Sequence, residues 1–286
     1  MNDDLIDARP RVRAPKSQTV RTIEAIQQAK NRGETVAVAI DGNPVEVPLG
    51  TTILEAARTL GIRIPTLCYH EDLCLAGVCR VCVVEVVGQR TLQAACSYPI
   101  TVPIEVNTHS PHVRRARRHI IDLLLSEHYG ECYTCSRNVG CELQALAMEY
   151  GVDFFRFGRL AKPRYEIDAS SHSVVRDMNK CVLCRRCIRT CIDLQEVGVL
   201  EAIDRGNRTK VSTFLDKPLA DVVCINCGQC INRCPTGALT EKTHIPQVWA
   251  ALEDPDKHVV VQTAPAVRIA LGEALDMPPG EIVTGK

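Results

Sequence analysis

Cys181-Val182-Leu183-Cys184-Arg185-Arg186-Cys187-Ile188-Arg189-Thr190-Cys191 and Cys224-Ile225-Asn226-Cys227-Gly228-Gln229-Cys230-Ile231-Asn232-Arg233-Cys234 are the two stretches that decide how this chain folds. Both read C-x-x-C-x-x-C-x-x-x-C, so residues 179–240 contain an internal repeat. Two thiols three residues apart on one tight loop reach the same small inorganic body, and a more distant cysteine closes the cage. Soft, anionic thiolates in that arrangement suit iron–sulfur clusters.

The repeat matches the bacterial two-cluster ferredoxin run, in which the fourth cysteine of each run ligates the other cluster. One [4Fe–4S] cluster is therefore predicted on Cys181, Cys184, Cys187 and Cys234, and another on Cys224, Cys227, Cys230 and Cys191. Pro235 follows Cys234 as that run expects, whereas Ile192 stands after Cys191. Lys180, Arg185, Arg186 and Arg189 surround the first half, either to stabilise a reduced cluster or to keep the loop solvated.

Working outward, the remaining cysteines form two further sets. Cys68-x10-Cys79-x2-Cys82-x13-Cys96 reads as a longer-loop variant of the plant-type [2Fe–2S] spacing. Gly77 lies in its loop, where backbone has to approach closely. Four thiolates also suit zinc, but the dispersed spacing is wrong for a zinc ribbon. His128-x3-Cys132-x2-Cys135-x5-Cys141 has three cysteines and lacks a fourth. A histidine at a helix end is commonly a cap or a surface residue; here the deficit predicts ligation of a third [4Fe–4S] cluster. A neutral imidazole in place of a thiolate makes the cluster less negative and raises its potential. The expected complement is one [2Fe–2S] and three [4Fe–4S] clusters. Only Cys74 falls outside the four sets, and it is expected to be a buried or half-buried free thiol.

The expected fold class is α+β, in five parts. Residues 1–34 are an extension, with a short helix or a solvated tail over Ser17–Asn31. Residues 35–108 form a β-grasp [2Fe–2S] ferredoxin-like domain. Its hairpin turns at Asp41-Gly42-Asn43, a capping box at Thr52-Ile53-Leu54-Glu55 starts a helix to about Leu60, and Val81–Val87 is a strand paired with Thr91–Ala95. Residues 109–178 hold the helical [4Fe–4S] domain, with its one histidine and three cysteines, and a linker. In it Pro111–Glu127 is a helix whose Arg114, Arg115, Arg117 and Arg118 form a solvated side or a surface for an acidic partner. A second helix covers Glu142–Tyr150, and 152–178 is read as having little regular structure. Residues 179–240 are the two-cluster ferredoxin domain. Residues 241–286 begin an α/β unit, with a buried-type strand at His258–Gln262 and a helix at Pro265–Leu275.

The chain has a formal net charge of +0, so nothing points to nucleic acid or an anionic membrane surface. No run of about 18 apolar residues suggests a membrane span. The charged start, Met1 to Lys16, shows no secretory signal, which predicts a cytoplasmic protein whose thiols bind metal rather than pair. There is no G-x-G-x-x-G, so no NAD(P) site of the dinucleotide-fold kind is expected. Gly280-Glu281-Ile282-Val283-Thr284-Gly285-Lys286 matches a phosphate loop only in part, without its Ser/Thr or a strand leading into it.

With the four sets in this order, the sequence resembles the N-terminal half of multisubunit [FeFe]-hydrogenase catalytic subunits, including NAD(P)-linked and electron-bifurcating types. The resemblance covers about residues 35–286. It rests on Leu67-Cys68-Tyr69-His70, Cys79-Arg80-Val81-Cys82-Val83-Val84-Glu85, the His128 set, Cys224-Ile225-Asn226-Cys227-Gly228-Gln229-Cys230, Cys234-Pro235-Thr236-Gly237-Ala238-Leu239 and Val261-Gln262-Thr263-Ala264-Pro265-Ala266-Val267-Arg268. The last stretch looks like the entry to that family's hydrogen-cluster domain, whose further cysteines do not follow here. The resemblance therefore implies either a short paralogue that serves as an electron-transfer subunit, or the first part of a full hydrogenase. Implied partners are a flavin/NAD(P)-binding diaphorase-type subunit, a small [2Fe–2S] subunit, ferredoxin, and a hydrogenase, formate dehydrogenase or transhydrogenase component. The cluster set is also similar to the small iron–sulfur subunit of NAD-reducing [NiFe] hydrogenases. It is less similar to the large subunit of complex I, in which this double ferredoxin repeat is not expected. The expected electron path runs from [2Fe–2S] through the His-ligated cluster to the ferredoxin pair, and no catalytic residue is assigned.

Overall fold

The computed structural model describes residues 32–128, 131–152 and 163–281. The expectation for Ser17–Asn31 lies outside them. The described chain mixes helices and strands and divides into two compact units, Met1–Lys242 and Thr243–Lys286.

The first unit begins with β1 (Thr35–Ile40) and β2 (Asn43–Pro48), antiparallel with Val38 opposite Val45. Asp41 and Gly42 between them both have positive φ (49° and 82°), the two-residue turn that suits a right-twisted hairpin. Helix α1 (Ile53–Thr59) starts at the expected capping box. The Thr52 hydroxyl accepts from Glu55 N–H, and the Glu55 carboxylate accepts from Thr52 N–H at 2.9 Å. β3 (Val83–Val86), β4 (Gln93–Ala94) and β5 (Ile104–Asn107) complete a five-stranded sheet in the order β2-β1-β5-β3-β4. β5 runs parallel to β1 and antiparallel to β3. Val38, Ile40, Ile53, Leu54, Val84 and Val106 fill the core between sheet and helix.

Helix α2 (Pro111–Ser126) is capped by the Ser110 hydroxyl and has proline at its first position, where the missing N–H costs nothing. One side-chain assignment changes here. Arg117 is not on a solvated side but fully buried. It is four residues from both Val113 and Ile121, so it shares their inward face. Its Nε and Nη2 donate to the Val83 carbonyl at 3.1 and 2.8 Å, and Nη1 donates to the Tyr150 hydroxyl at 3.1 Å. Arg114, Arg115 and Arg118 remain exposed. Leu123 is also exposed, whereas Ile121 and Leu125 are core. α3 (Glu142–Glu149) packs on α2 through Leu143, Leu146 and Ala147.

The stretch read as an irregular linker contains β6 (Val174–Arg176). It pairs antiparallel with β9 (Leu239–Glu241), a long-range partner that local periodicity does not reveal. Between them lie α4 (Arg186–Arg189), the hairpin β7 (Glu201–Ile203) and β8 (Lys210–Ser212), and α5 (Gln229–Asn232). In the second unit, α6 (Ile245–Glu253) and α7 (Pro265–Ala274) are helical. His258–Gln262 is not a strand: Val260 and Val261 are exposed, and no described residue offers this segment a ladder of hydrogen bonds.

Candidate iron–sulfur sites

The first four cysteines, Cys68, Cys79, Cys82 and Cys96, are all buried beside the sheet. Register brings two of them together. Cys82 directly precedes β3 and Cys96 closely follows β4; Val83 lies opposite Ala94, and Ala95 N–H donates to the Cys82 carbonyl at 3.2 Å. On the other side, Cys68 N–H donates to Cys79 Sγ at 3.3 Å. Cys68 is thus paired with Cys79, and Cys82 with Cys96. Cys68 is held low by the bond with Cys79 and Cys96 by the bond with Cys82, while Cys79 and Cys82 are pushed up. Gly77 is needed for its backbone: φ is +62°, and an added Cβ would stand 3.3 Å from Ser97 Oγ, next to Cys96. Cys74 is exposed rather than buried, because its loop turns outward there. Its thiol is pushed up, chiefly by a hydrogen bond to Asp193.

His128, Cys132, Cys135 and Cys141 line a second recess, reached also by Lys180 and Gly237. His128 is buried, and its Nδ1 lies 3.0 Å from the Lys180 carbonyl. A carbonyl only accepts, so Nδ1 carries the proton in this bond, and a neutral ring would present the lone pair of Nε2 to a metal. Gly237 closes the recess from the ferredoxin repeat: a Cβ there would stand 2.6 Å from Cys135 Sγ. The sequence places Gly237 in a motif but does not reveal this role. Its φ is not positive, so only the tertiary contact shows the need for glycine.

Cys181, Cys184, Cys187 and Cys234 line a third recess. Cys191, Cys224, Cys227 and Cys230 line a fourth, apolar one with Val174, Val199, Leu200 and Leu219. In each, three cysteines come from one run and the fourth from the other. The loops repeat at backbone level: Leu183 and Arg185 are left-handed (φ 53° and 59°), as are Asn226 and Gly228 at the equivalent positions (56° and 69°). Left-handed non-glycine residues cost about 1 kcal/mol each, and the turns aim successive cysteines inward. Peptide N–H groups point at sulfur, from Leu183 to Cys181 at 3.4 Å and from Val199 to Cys191 at 3.3 Å. Burial pushes the Cys184 and Cys230 thiols up to about 12 and Cys187 up as well. Thiolates become favourable in such surroundings once cations join them, which fits a donor set built for iron. Among the described residues no three His, Cys, Asp or Glu side chains are arranged to hold one metal ion; the donors surround recesses instead.

Two arginines of α4 join these sites rather than solvating a loop. Arg186 forks onto Glu142, next to Cys141, at 2.6 and 2.8 Å, and donates to the Tyr69 carbonyl, next to Cys68, at 2.9 Å. Arg189 donates to the carbonyls of Cys68 and Cys74. Cys68, Cys79 and Cys184 also share one apolar cluster with Leu67, Val81 and Leu143.

Fold and donor sets together define a multi-centre iron–sulfur protein with a [2Fe–2S] ferredoxin-like domain and [4Fe–4S]-binding domains. Three family profiles cover the first unit: a 2Fe-2S iron-sulfur cluster binding domain at 33–111, the NADH-ubiquinone oxidoreductase-G iron-sulfur binding region at 117–156, and the ferredoxin-like domain of NADH-quinone oxidoreductase subunit 3 at 171–240. The chain belongs to the family of N-terminal iron–sulfur regions shared by NAD(P)-linked hydrogenases and NADH–quinone oxidoreductases. It is 48% identical over 256 residues, 88% of its length, to the NADP-reducing hydrogenase subunit HndD of Solidesulfovibrio fructosivorans, of which that match spans 44%. It is 37% identical over 209 residues, 73% of its length, to the NADH-ubiquinone oxidoreductase 75 kDa subunit of Reclinomonas americana, of which that match spans 30%. A crystal structure of an NAD+-reducing [NiFe]-hydrogenase in the H2-reduced state superposes with a TM-score of 0.67 at 31% identity, covering 73% of this chain and 88% of that one. The chain thus spans less than half the length of these two curated relatives. The third profile aligns with 171–240, the stretch that holds both cysteine runs, and the identities rank the hydrogenase relative, at 48%, above the NADH-ubiquinone oxidoreductase 75 kDa subunit, at 37%.

Proposed function

We propose that this chain is the iron–sulfur electron-transfer part of an NAD(P)H- and ferredoxin-linked oxidoreductase complex. It would carry [2Fe–2S] on Cys68, Cys79, Cys82 and Cys96 in a β-grasp domain. Three [4Fe–4S] clusters would sit on the His128, Cys181/Cys234 and Cys224/Cys191 sets. The observation that supports this reading is that three recesses gather His128 with Cys132, Cys135 and Cys141, Cys234 with Cys181, Cys184 and Cys187, and Cys191 with Cys224, Cys227 and Cys230, while Cys68, Cys79, Cys82 and Cys96 are all buried. Such clusters, when bound, accept and release single electrons at potentials set by ligand type, burial and hydrogen bonds to sulfur.

The chain's own residues hold these sites close together. Arg186 and Arg189 fasten the first site to α4, between Cys184 and Cys191. His128 bonds the carbonyl preceding Cys181, and Gly237 abuts Cys135. The Cys181/Cys184/Cys187/Cys234 set therefore has contacts toward both the first site and the His128 site. This favours a junction there over the linear order in which the His128 site comes second. Flavin-bearing, small [2Fe–2S], ferredoxin and hydrogenase- or formate-dehydrogenase-type partners, and electron bifurcation, belong to the same proposal.

Anaerobic reconstitution tests it. The loaded chain is expected to hold about fourteen irons and to bleach with dithionite, with NAD(P)H bleaching it only after a flavin-bearing partner is added. Stoichiometric zinc without iron–sulfur absorption would refute it. A second reading, the same region at work inside a longer hydrogenase subunit, is favoured by the match to 44% of the HndD-type subunit. Hydrogenase cysteine motifs downstream in the parent gene would decide for it.

A further inference from the structure

Among the described residues of the first unit, four arginines are buried: Arg117, Arg176, Arg186 and Arg189. Two have carboxylate partners, Arg176 with Asp168 at 3.0 Å and Arg186 with Glu142 at 2.6 Å. The other two have none among the described residues. Arg117, completely inaccessible, donates only to the Val83 carbonyl and the Tyr150 hydroxyl, and lies outside ion-pairing distance of Asp122 on the same helix. Arg189, 8% exposed, donates to the carbonyls of Cys68, Cys74 and Arg185.

A buried guanidinium keeps its charge, and neutral acceptors do not offset the loss of hydration. Both unpaired cations lie against the same site from different elements. Arg117 grips the peptide carbonyl directly after Cys82, and Arg189 grips the carbonyl of Cys68 itself. We propose that Arg117 and Arg189 are the fixed counter-cations of the Cys68/Cys79/Cys82/Cys96 site and hold the reduction potential of its cluster up. The inference rests on the reading that this site carries [2Fe–2S]. Four thiolates make such a cluster anionic, and reduction adds one negative charge. Two immobile positive charges in a low-dielectric setting therefore favour the reduced form. They are positioning residues, acting through charge and through the loop carbonyls rather than as ligands.

The test is an EPR-monitored redox titration of the full, anaerobically loaded chain, with Arg117→Gln, Arg189→Gln and the matching lysine variants. Each glutamine variant is expected to lower the equilibrium constant for reducing [2Fe–2S] by about tenfold or more, 59 mV downward per factor of ten in a one-electron couple. The lysine variants should stay close to the parent, and the potential of the His128 site should not follow. Glutamine variants that lose the cluster while lysine variants keep it would also support a charge role. Parental potential in the glutamine variants, or lysine and glutamine behaving alike, including loss of the cluster in both, would overturn the inference. Absence of a [2Fe–2S] signal in the parent chain would instead count against the proposed function.

Discussion

At the scale of single residues, two positions around the second recess carry opposite lessons. His128 was singled out because three cysteines at fixed spacing lacked a fourth donor, and the structure brings it to the same recess as those three. Its bond to the Lys180 carbonyl then puts the proton on Nδ1. His128→Cys is expected to keep a cluster at lower potential, because an anionic ligand replaces a neutral one. His128→Ala is expected to lose it. Cluster content and EPR potential read both, and unchanged values in both variants would exclude ligation. Gly237 was not legible, since nothing local marks it. Gly237→Ala puts a methyl group 2.6 Å from Cys135 Sγ, so iron content should fall by up to one [4Fe–4S] equivalent while the [2Fe–2S] signal persists. A fully loaded Gly237→Ala protein would show that the recess yields.

At the scale of elements, the ferredoxin repeat allows a paired comparison. Arg185 and Gly228 occupy equivalent left-handed positions, one held by a residue with a Cβ and the other by glycine. Gly228 has open space around it, the nearest atom to an added Cβ being 4.0 Å away, so backbone strain alone decides there. Gly228→Ala is expected to cost about 1 kcal/mol. Arg185→Gly should gain only a few tenths, because relief of strain is offset by the greater freedom of glycine in the unfolded chain. Anaerobic thermal melts measure both, and equal effects of the same sign would refute the equivalence. Element types were largely readable: the hairpin, the capping box and α2 each carry a local signal. β6 was missed because its partner β9 is far away in sequence, and 258–262 was misread because an apolar run alone does not supply strand neighbours. Arg117 was misplaced by grouping residues by charge when helical period decides which way they point.

Across the whole first unit, the apolar cores differ in what they are made of. The sheet and α1 are packed mainly by aliphatic side chains, although Cys82 and Cys96 border them. The core around β6 and β9 includes Cys181 and Cys187, with Cys191, Cys224, Cys230 and Cys234 packed against it. Ligation energy is folding energy wherever ligands line a core. Removing iron with a chelator is therefore expected to abolish slow amide exchange over residues 174–241 first. The sheet of 35–107 should retain part of its protection. Hydrogen exchange with mass spectrometry checks this, and uniform loss across both regions would contradict it.

Cysteine spacing grouped the candidate donors into four sets and, with the motifs around them, pointed to the family, because ligand geometry is imposed by the cluster and leaves a fixed local imprint. Hairpin and capping signals likewise act within a few residues. How the sites adjoin one another was beyond that reach. Arg186 meets Tyr69 across 117 residues, Arg189 meets Cys68 across 121, and Gly237 meets Cys135 from a stretch matched by a different family profile. Such contacts depend on which surfaces pack together. Only the folded chain showed that two buried arginines, without carboxylate partners among the described residues, reach the backbone of a single site.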